Sequence, residues 1–205
     1  MGKQVKIISI DGTRGSGKTS QIGMLARLFR SSGTPVLVIS AGKDVATGLV
    51  SADKTRAFLN ENHNGLVFLE GSIARPMVSD LMIGMSRDGV IDKYKHLTHA
   101  YERLDHDYGL ASFLMIMDDL SEGERRIKKN AALLGHGVDA YDMAEESDIV
   151  NGMRFFNNHV ASKNIQFRVV EIDNDNTMME INKSIISALK NDYELPAIKK
   201  DESDW

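Results

Sequence analysis

Eight consecutive residues carry the clearest chemistry in the sequence: Gly12-Thr13-Arg14-Gly15-Ser16-Gly17-Lys18-Thr19. A glycine, four further residues and then Gly-Lys-Thr is the spacing of a phosphate-binding loop, a pattern that gains meaning only between a strand and a helix. Both flanks are present, an apolar run from Val5 to Ile10 before it and an amphipathic run from Ile22 to Phe29 after it. The residue types follow from the task. Glycines let successive backbone N–H groups turn towards phosphate oxygens, the helix adds its positive end, and a lysine neutralises the outer phosphates. A threonine hydroxyl at the last position suits Mg²⁺, which takes oxygen ligands. The loop therefore predicts a site for ATP and Mg²⁺, with Gly12, Thr13, Gly15, Ser16, Gly17, Lys18, Thr19 and Ser20 around the phosphates and Thr19 on the metal. A Gly-rich turn that binds nothing is the plain alternative.

A loop of this kind needs a sheet to hold it. Val5 to Ile10 reads as a central strand buried on both faces, followed by a helix from Lys18 to about Ser31 that Gly33 stops. Val36 to Ile39, Leu66 to Leu69, Phe113 to Met117 and Phe167 to Ile172 read as four further strands. Helices are expected over Ala52 to Asn60, Met77 to Ser86, Gly123 to Leu134, Asp142 to Val160 and Met178 to Leu189. Between Val90 and Tyr108 the apolar residues Val90, Tyr94, Leu97, Tyr101, Leu104 and Tyr108 recur in steps of four and three, which is a helix rather than a strand. Strands alternating with helices predict a three-layer, doubly wound α/β fold with a five-stranded parallel sheet and the phosphate loop after its first strand.

Composition narrows the remaining classes. The 205 residues form one expected domain over 1–195, with a polar tail over 196–205. There is no cysteine, which excludes a disulfide framework, a thiol nucleophile and a thiolate zinc site. No run is long enough to span a membrane, and the basic, strand-like start does not read as a signal peptide, so a cytoplasmic protein is expected. The net charge of −4 opposes a general electrostatic grip on nucleic acid.

Ile8-Ser9-Ile10-Asp11-Gly12 running into Gly17-Lys18-Thr19-Ser20-Gln21 resembles the start of the thymidylate kinases, members of the nucleoside and nucleoside monophosphate kinase superfamily. Leu114 to Asp118 and Glu122 to Lys129 resemble that family's fourth strand and the basic segment leading into its lid, here about residues 126–145. Asp142 and Glu145 match acidic residues after the lid, Phe155-Phe156 the following helix, and Val169 to Asp173 the last strand. The resemblance covers about two thirds of the chain. It implies an ATP- and Mg²⁺-dependent kinase acting on a deoxynucleoside monophosphate, dTMP or a related pyrimidine, and working as a homodimer.

The middle of the chain departs from the family. Ser40-Ala41-Gly42-Lys43 stands in place of an Arg-Glu-Pro-Gly stretch, and Arg14 occupies the place of a carboxylate that reads the sugar 3'-hydroxyl. These departures keep two further readings open: a kinase of this fold acting on another hydroxyl, such as a deoxynucleoside or a hydroxymethyl-pyrimidine in DNA, and an ATPase switch built on the same loop.

Phosphoryl transfer needs in-line positioning, a metal and positive charge. Lys18 and Arg14 are the expected sources of charge from the loop, and Arg126, in the run Arg125, Arg126, Lys128 and Lys129, is expected on the ATP from the lid side. Such a run also occurs as a solvated helix face. Glu70, at the end of its strand, is expected to orient the acceptor or a metal-bound water; Asp92 in Asp92-Lys93-Tyr94 is the rival carboxylate. Ser72 and Arg75 are candidates for the acceptor, with a surface ion pair as the alternative for Arg75. Tyr101, like Tyr94, is a candidate to stack on the base, or else core. Asp118 and Asp119 are a candidate acidic metal site. His96 and His99 sit one turn apart without a third ligand, which argues against zinc.

Overall fold

The computed structural model describes residues 3–40, 44–71, 73–134, 143–159, 167–173 and 176–195. Five parallel strands make the main sheet: β2 (Ile7–Gly12), β3 (Val36–Ser40), β4 (Leu66–Glu70), β5 (Leu110–Met117) and β6 (Phe167–Ile172), in the order β3-β4-β2-β5-β6. Two short strands, β1 (Lys3–Gln4) and β7 (Tyr193–Glu194), pair in parallel beside it. The first strand is displaced from its expected span, beginning at Ile7 and running to Gly12. The pair β1 and β7 had no signal, because two residues are too few for a periodicity.

Helix α1 (Lys18–Ser31) and helix α7 (Met178–Asp192) cover one face of the sheet; α2 (Val45–Glu61), α3 (Ala74–Met82), α4 (Arg87–Tyr108) and α6 (Met143–His159) cover the other. Helix α5 (Leu120–Leu134) lies against α6. Side chains of a strand alternate between faces, and β2 shows the consequence. Ile8 and Ile10 pack with Ile22, Leu25 and Phe29 of α1, while Ile7 faces the other core with Tyr101 and Leu104. Asp11 and Ser9 share the face of Ile7, so Asp11 meets α3. Leu25 and Phe29 are fully buried, and truncating either to alanine costs about 3–5 kcal/mol.

Several elements are longer than their sequence signals. Helix α2 starts at Val45, with Asp44 accepting from the Thr47 N–H at 2.9 Å in a capping box. Its buried face is made of Gly48, Ser51, Ala52, Thr55 and Leu59, small residues that give little apolar pattern. The face is nonetheless required: a Cβ on Gly48 would sit 2.9 Å from Leu97 of α4. The strand expected from Phe113 begins at Leu110, and the helix expected from Gly123 begins at Leu120. The tail and residues 135–142 of the expected lid lie outside the described residues, as do Ala41 to Lys43. No helix among the described residues is long and apolar enough to cross a membrane.

Candidate phosphate-binding site

The sheet order places the carboxyl end of β2 between those of β4 and β5. In open α/β sheets the crevice at such a reversal of strand order is where ligands bind. The candidate site residues are arranged around that edge.

The loop after β2 depends on its glycines. Gly12, Gly15 and Gly17 have φ of 144°, 75° and 90°, conformations that L side chains rarely adopt. At Gly12 space is decisive as well, since a Cβ there would lie 2.0 Å from the Met115 carbonyl oxygen of β5. At Gly15 a Cβ would meet the backbone of Gly123 at 2.7 Å, which sets the start of α5 against the loop. Thr13 ties the loop to β5: its N–H donates to the Met115 carbonyl at 3.1 Å, and its hydroxyl accepts from the Met117 N–H at 3.1 Å. The Ser16 hydroxyl donates to the Thr13 carbonyl at 2.8 Å.

Lys18 opens α1 and folds back over the loop. Its ammonium donates to the carbonyls of Gly12 at 3.0 Å and Thr13 at 2.7 Å. Burial pulls its pKa from 10.5 down to about 8. The carboxylate of Asp11 opposes that shift, the charge of Arg75 adds to it, and Glu70 and Glu146 oppose it more weakly. Five charged residues from five separate strands and helices thus share one electrostatic neighbourhood. Thr19, the next residue, donates its hydroxyl to Glu70 Oε1 across the sheet edge.

Asp11 shapes the site. One carboxylate oxygen accepts from the Gly12 N–H at 2.8 Å, and the other accepts from the Arg75 N–H at 3.4 Å. Helix α3 has no side-chain cap of its own at Ile73, and Pro76 brings no donor, so a residue 64 positions earlier serves one of its first amides.

The structure brings Gly12, Thr13, Arg14, Gly15, Ser16, Gly17, Lys18, Thr19, Glu70 and Arg75 to one edge of the sheet, with Ser20 exposed on the first turn of α1. Asp92 is exposed on α4, its neighbour Lys93 pairs with Asp80 at 2.6 Å, and Tyr94 is buried. Glu70, not Asp92, therefore stands at the loop. Arg126 donates Nε to Glu122 Oε1 at 2.7 Å within α5. Ser72 lies outside the described residues, as does Asp142.

Tyr101 requires a correction. Its side chain is 1% exposed inside the core between α4 and the sheet, so no face of the ring is open to a base. The helical spacing that placed it was a core stripe, and burial pushes its phenol well above its ordinary range. Asp118 and Asp119 require another. Asp118 pairs with Arg154 at 2.7 Å, and Asp119 caps α5 by accepting from the N–H groups of Ser121 and Glu122. Among the described residues no group of three His, Cys, Asp or Glu side chains is placed to hold a metal.

Sequence reasoning missed Glu146. It is 2% exposed in the first turn of α6, and its carboxylate accepts from the Arg14 N–H at 3.4 Å and approaches Arg14 Nε at 3.7 Å. A signal existed: Glu146 lies three, four and seven residues before Ile149, Val150 and Met153, so it is a charge on the apolar face of its helix.

No family model matches the sequence, and no curated protein matches it. Among solved structures the chain is similar to a thymidylate kinase from Candida albicans, over 92% of each chain, with a TM-score of 0.51 and 16% sequence identity. The chain shares that fold, a three-layer α/β architecture around a five-stranded parallel sheet.

Proposed function

We propose that this protein is an ATP- and Mg²⁺-dependent phosphotransferase of the thymidylate kinase type, which passes the γ-phosphoryl group of ATP to a deoxynucleoside monophosphate, dTMP or a related pyrimidine. The observation that carries the reading is the meeting of Lys18, Thr19, Glu70 and Arg75 at the loop edge of a sheet with this fold.

The residues present fit both groups. Phosphates take backbone N–H groups, a lysine and a helix start, and the loop from Gly12 to Lys18 presents all three. Mg²⁺ takes hard oxygen ligands and usually completes its shell with water and phosphate rather than a protein cage. The Thr19 hydroxyl and the Glu70 carboxylate, already in contact, are such a donor pair. When bound, the metal neutralises charge on the phosphates. Lys18, whose ammonium rests on the Gly12 and Thr13 carbonyls, would neutralise phosphate oxygens. Arg14 and Arg75 would add positive charge near the loop, and Glu70 would orient the incoming acceptor. The chemistry asks little more of the protein than this positioning.

Arg14 favours a second reading, a kinase of the same fold whose acceptor is a deoxynucleoside or a hydroxymethyl-pyrimidine within DNA. In that reading the loop needs no carboxylate for a free 3'-hydroxyl. The first reading carries with it a homodimer and a cytoplasmic location.

The test is ADP release from MgATP with dTMP, dUMP, the hydroxymethyl analogue, other deoxynucleoside monophosphates, free deoxynucleosides, hydroxymethyl-pyrimidine DNA and no acceptor. Turnover confined to one or two monophosphates is the expected result. Turnover with nucleosides or DNA alone moves the activity to the second reading, and equal ADP release without acceptor makes the protein an ATPase.

A further inference from the structure

Glu146 is a buried charge that the proposed chemistry does not use. At 2% exposure an unpaired carboxylate would be strongly destabilising, so its partner identifies its purpose. The hydrogen bond and the ion pair found for it both go to one residue, Arg14. One carboxylate oxygen faces the main-chain N–H of Arg14 and the other faces its side-chain Nε. A group that holds both the backbone and the side chain of one residue fixes where that side chain starts and which way it leaves the loop.

The helix beneath Glu146 is held firmly. Helix α6 packs on α3 at Gly152, where a Cβ would stand 2.7 Å from Val78, and buries Ile149, Val150 and Met153. Helix α3 is in turn fixed to the loop through Asp11 and the Arg75 N–H. Glu146 therefore sits at a defined height over the loop, close enough to Lys18 to influence its charge. The Nε contact, at 3.7 Å, is long for an ion pair. It bears on the direction in which the guanidinium leaves the loop, and the Arg14 side chain is 26% exposed.

We propose that Glu146 is a positioning residue: it orients Arg14 so that the guanidinium meets the outermost phosphate of the bound nucleotide, making Arg14 selective for a triphosphate over a diphosphate. The inference rests on the reading of the loop as a nucleotide site. It does not depend on which acceptor is phosphorylated.

The two effects of removing Glu146 have opposite signs, which makes them separable. Loss of a buried negative charge near the loop strengthens binding of any polyphosphate. Loss of the grip on Arg14 weakens only the contact to the outermost phosphate. The ratio of MgADP to MgATP dissociation constants isolates the second. Titration calorimetry on the wild type, Glu146→Gln, Arg14→Gln and the double variant reads this ratio without an acceptor. Gln at 146 keeps the size but offers one acceptor oxygen in place of two.

The expected result is a ratio lowered about threefold or more by either single change, with no further loss in the double variant and, for Glu146→Gln, no weakening of MgADP binding. In the transfer assay the same coupling appears as a kcat lowered about tenfold, with KM for ATP unchanged or lower. A ratio untouched by Glu146→Gln, a second loss in the double variant, or equal weakening of both nucleotides overturns the proposal. So does a wild type that binds neither nucleotide. Glu146→Asp, which keeps the charge one methylene short, guards against a folding defect in the Gln variant and is expected to lower the ratio less; an Asp variant as impaired as the Gln variant also overturns it. A protein that shows the coupling but phosphorylates no acceptor refutes the kinase reading and leaves this one standing.

Discussion

Two basic clusters lie near the loop, and they are built differently. In the first, Lys18, Arg14 and Arg75 face Glu70, Glu146 and Asp11, groups that arrive from separate strands and helices. In the second, along α5, three cations are matched on their own helix: Arg125 and Arg126 both reach Glu122, and Lys128 reaches Glu124 at 2.7 Å. Pairs three and four residues apart form in any helix of that sequence and contribute only a few tenths of a kcal/mol each. Charges assembled across the fold carry their energy through burial and mutual placement. The comparison teaches that a run of positive charge in a sequence says little about chemistry until its nearest carboxylates are known. On α5 they are one turn away. At the loop they are up to 132 residues away.

The largest expected effect breaks the first cluster at its centre. Lys18→Ala is expected to lower phosphoryl transfer by about 10³-fold or more, with circular dichroism and melting temperature close to wild type. A folded variant that retains transfer would remove the chemical distinction between the clusters. Glu70→Gln is expected next, lowering transfer about 10²-fold and raising the Mg²⁺ concentration needed for half-maximal rate. An unchanged Mg²⁺ dependence would confine Glu70 to orienting the acceptor.

The burial of Lys18 gives the first cluster a pH signature. Burial lets its ammonium lose its proton near pH 8, whereas phosphate oxygens beside it would favour the charged form. Binding above that pH therefore takes up a proton, and affinity for MgATP is expected to fall by up to about tenfold per pH unit as pH rises further. Calorimetry in buffers of different ionisation enthalpy measures the uptake. Lys18→Arg, whose guanidinium stays charged, is expected to abolish it.

The second cluster should respond weakly to the same treatment. Arg126→Ala is expected to change transfer by less than about threefold, because its partner is local, one turn away on the same helix. A loss approaching that of Lys18→Ala would show that Arg126 leaves Glu122 for the nucleotide, uniting the clusters. The smallest effect is at Glu122 itself. Hydrogen bonds from Arg125 and then Arg126 hold its carboxyl down near 2 against an ordinary 4.5. The small helix stabilisation this represents is present above pH 4.5 and is lost as pH falls towards 2; an acid titration of wild type and Glu122→Gln is expected to diverge only in that window.

The sequence by itself determined the loop and the sheet that holds it. Gly-Lys-Thr after an apolar run is a local pattern with a local cause, since only glycine turns as Gly12, Gly15 and Gly17 turn. The strands at Val36, Leu66 and Phe167 were legible as short runs rich in apolar and β-branched residues, although only β4 is largely buried and β3 and β6 are edge strands. The amphipathic stripe of α4 was legible as a helix, yet the same stripe misled at Tyr101, because periodicity reports which face is buried and not what buries it. Helix α2 was read short because its buried face is small rather than apolar.

Only the tertiary structure decided the site around the loop. Glu70 was separated from Asp92 by the crossing of β4 beside β2, which sets Thr19 against one carboxylate and leaves the other exposed. Asp11 became the cap of α3 through a contact that no spacing encodes. The partner of Glu146 was set only by the packing of α6 onto the loop, which brings its carboxylate to Arg14. Short-range patterns fix turns and periodic elements, because their energies are summed along the chain. The partners of a buried charge are fixed by packing between elements distant in sequence, and that packing is written in the whole chain at once.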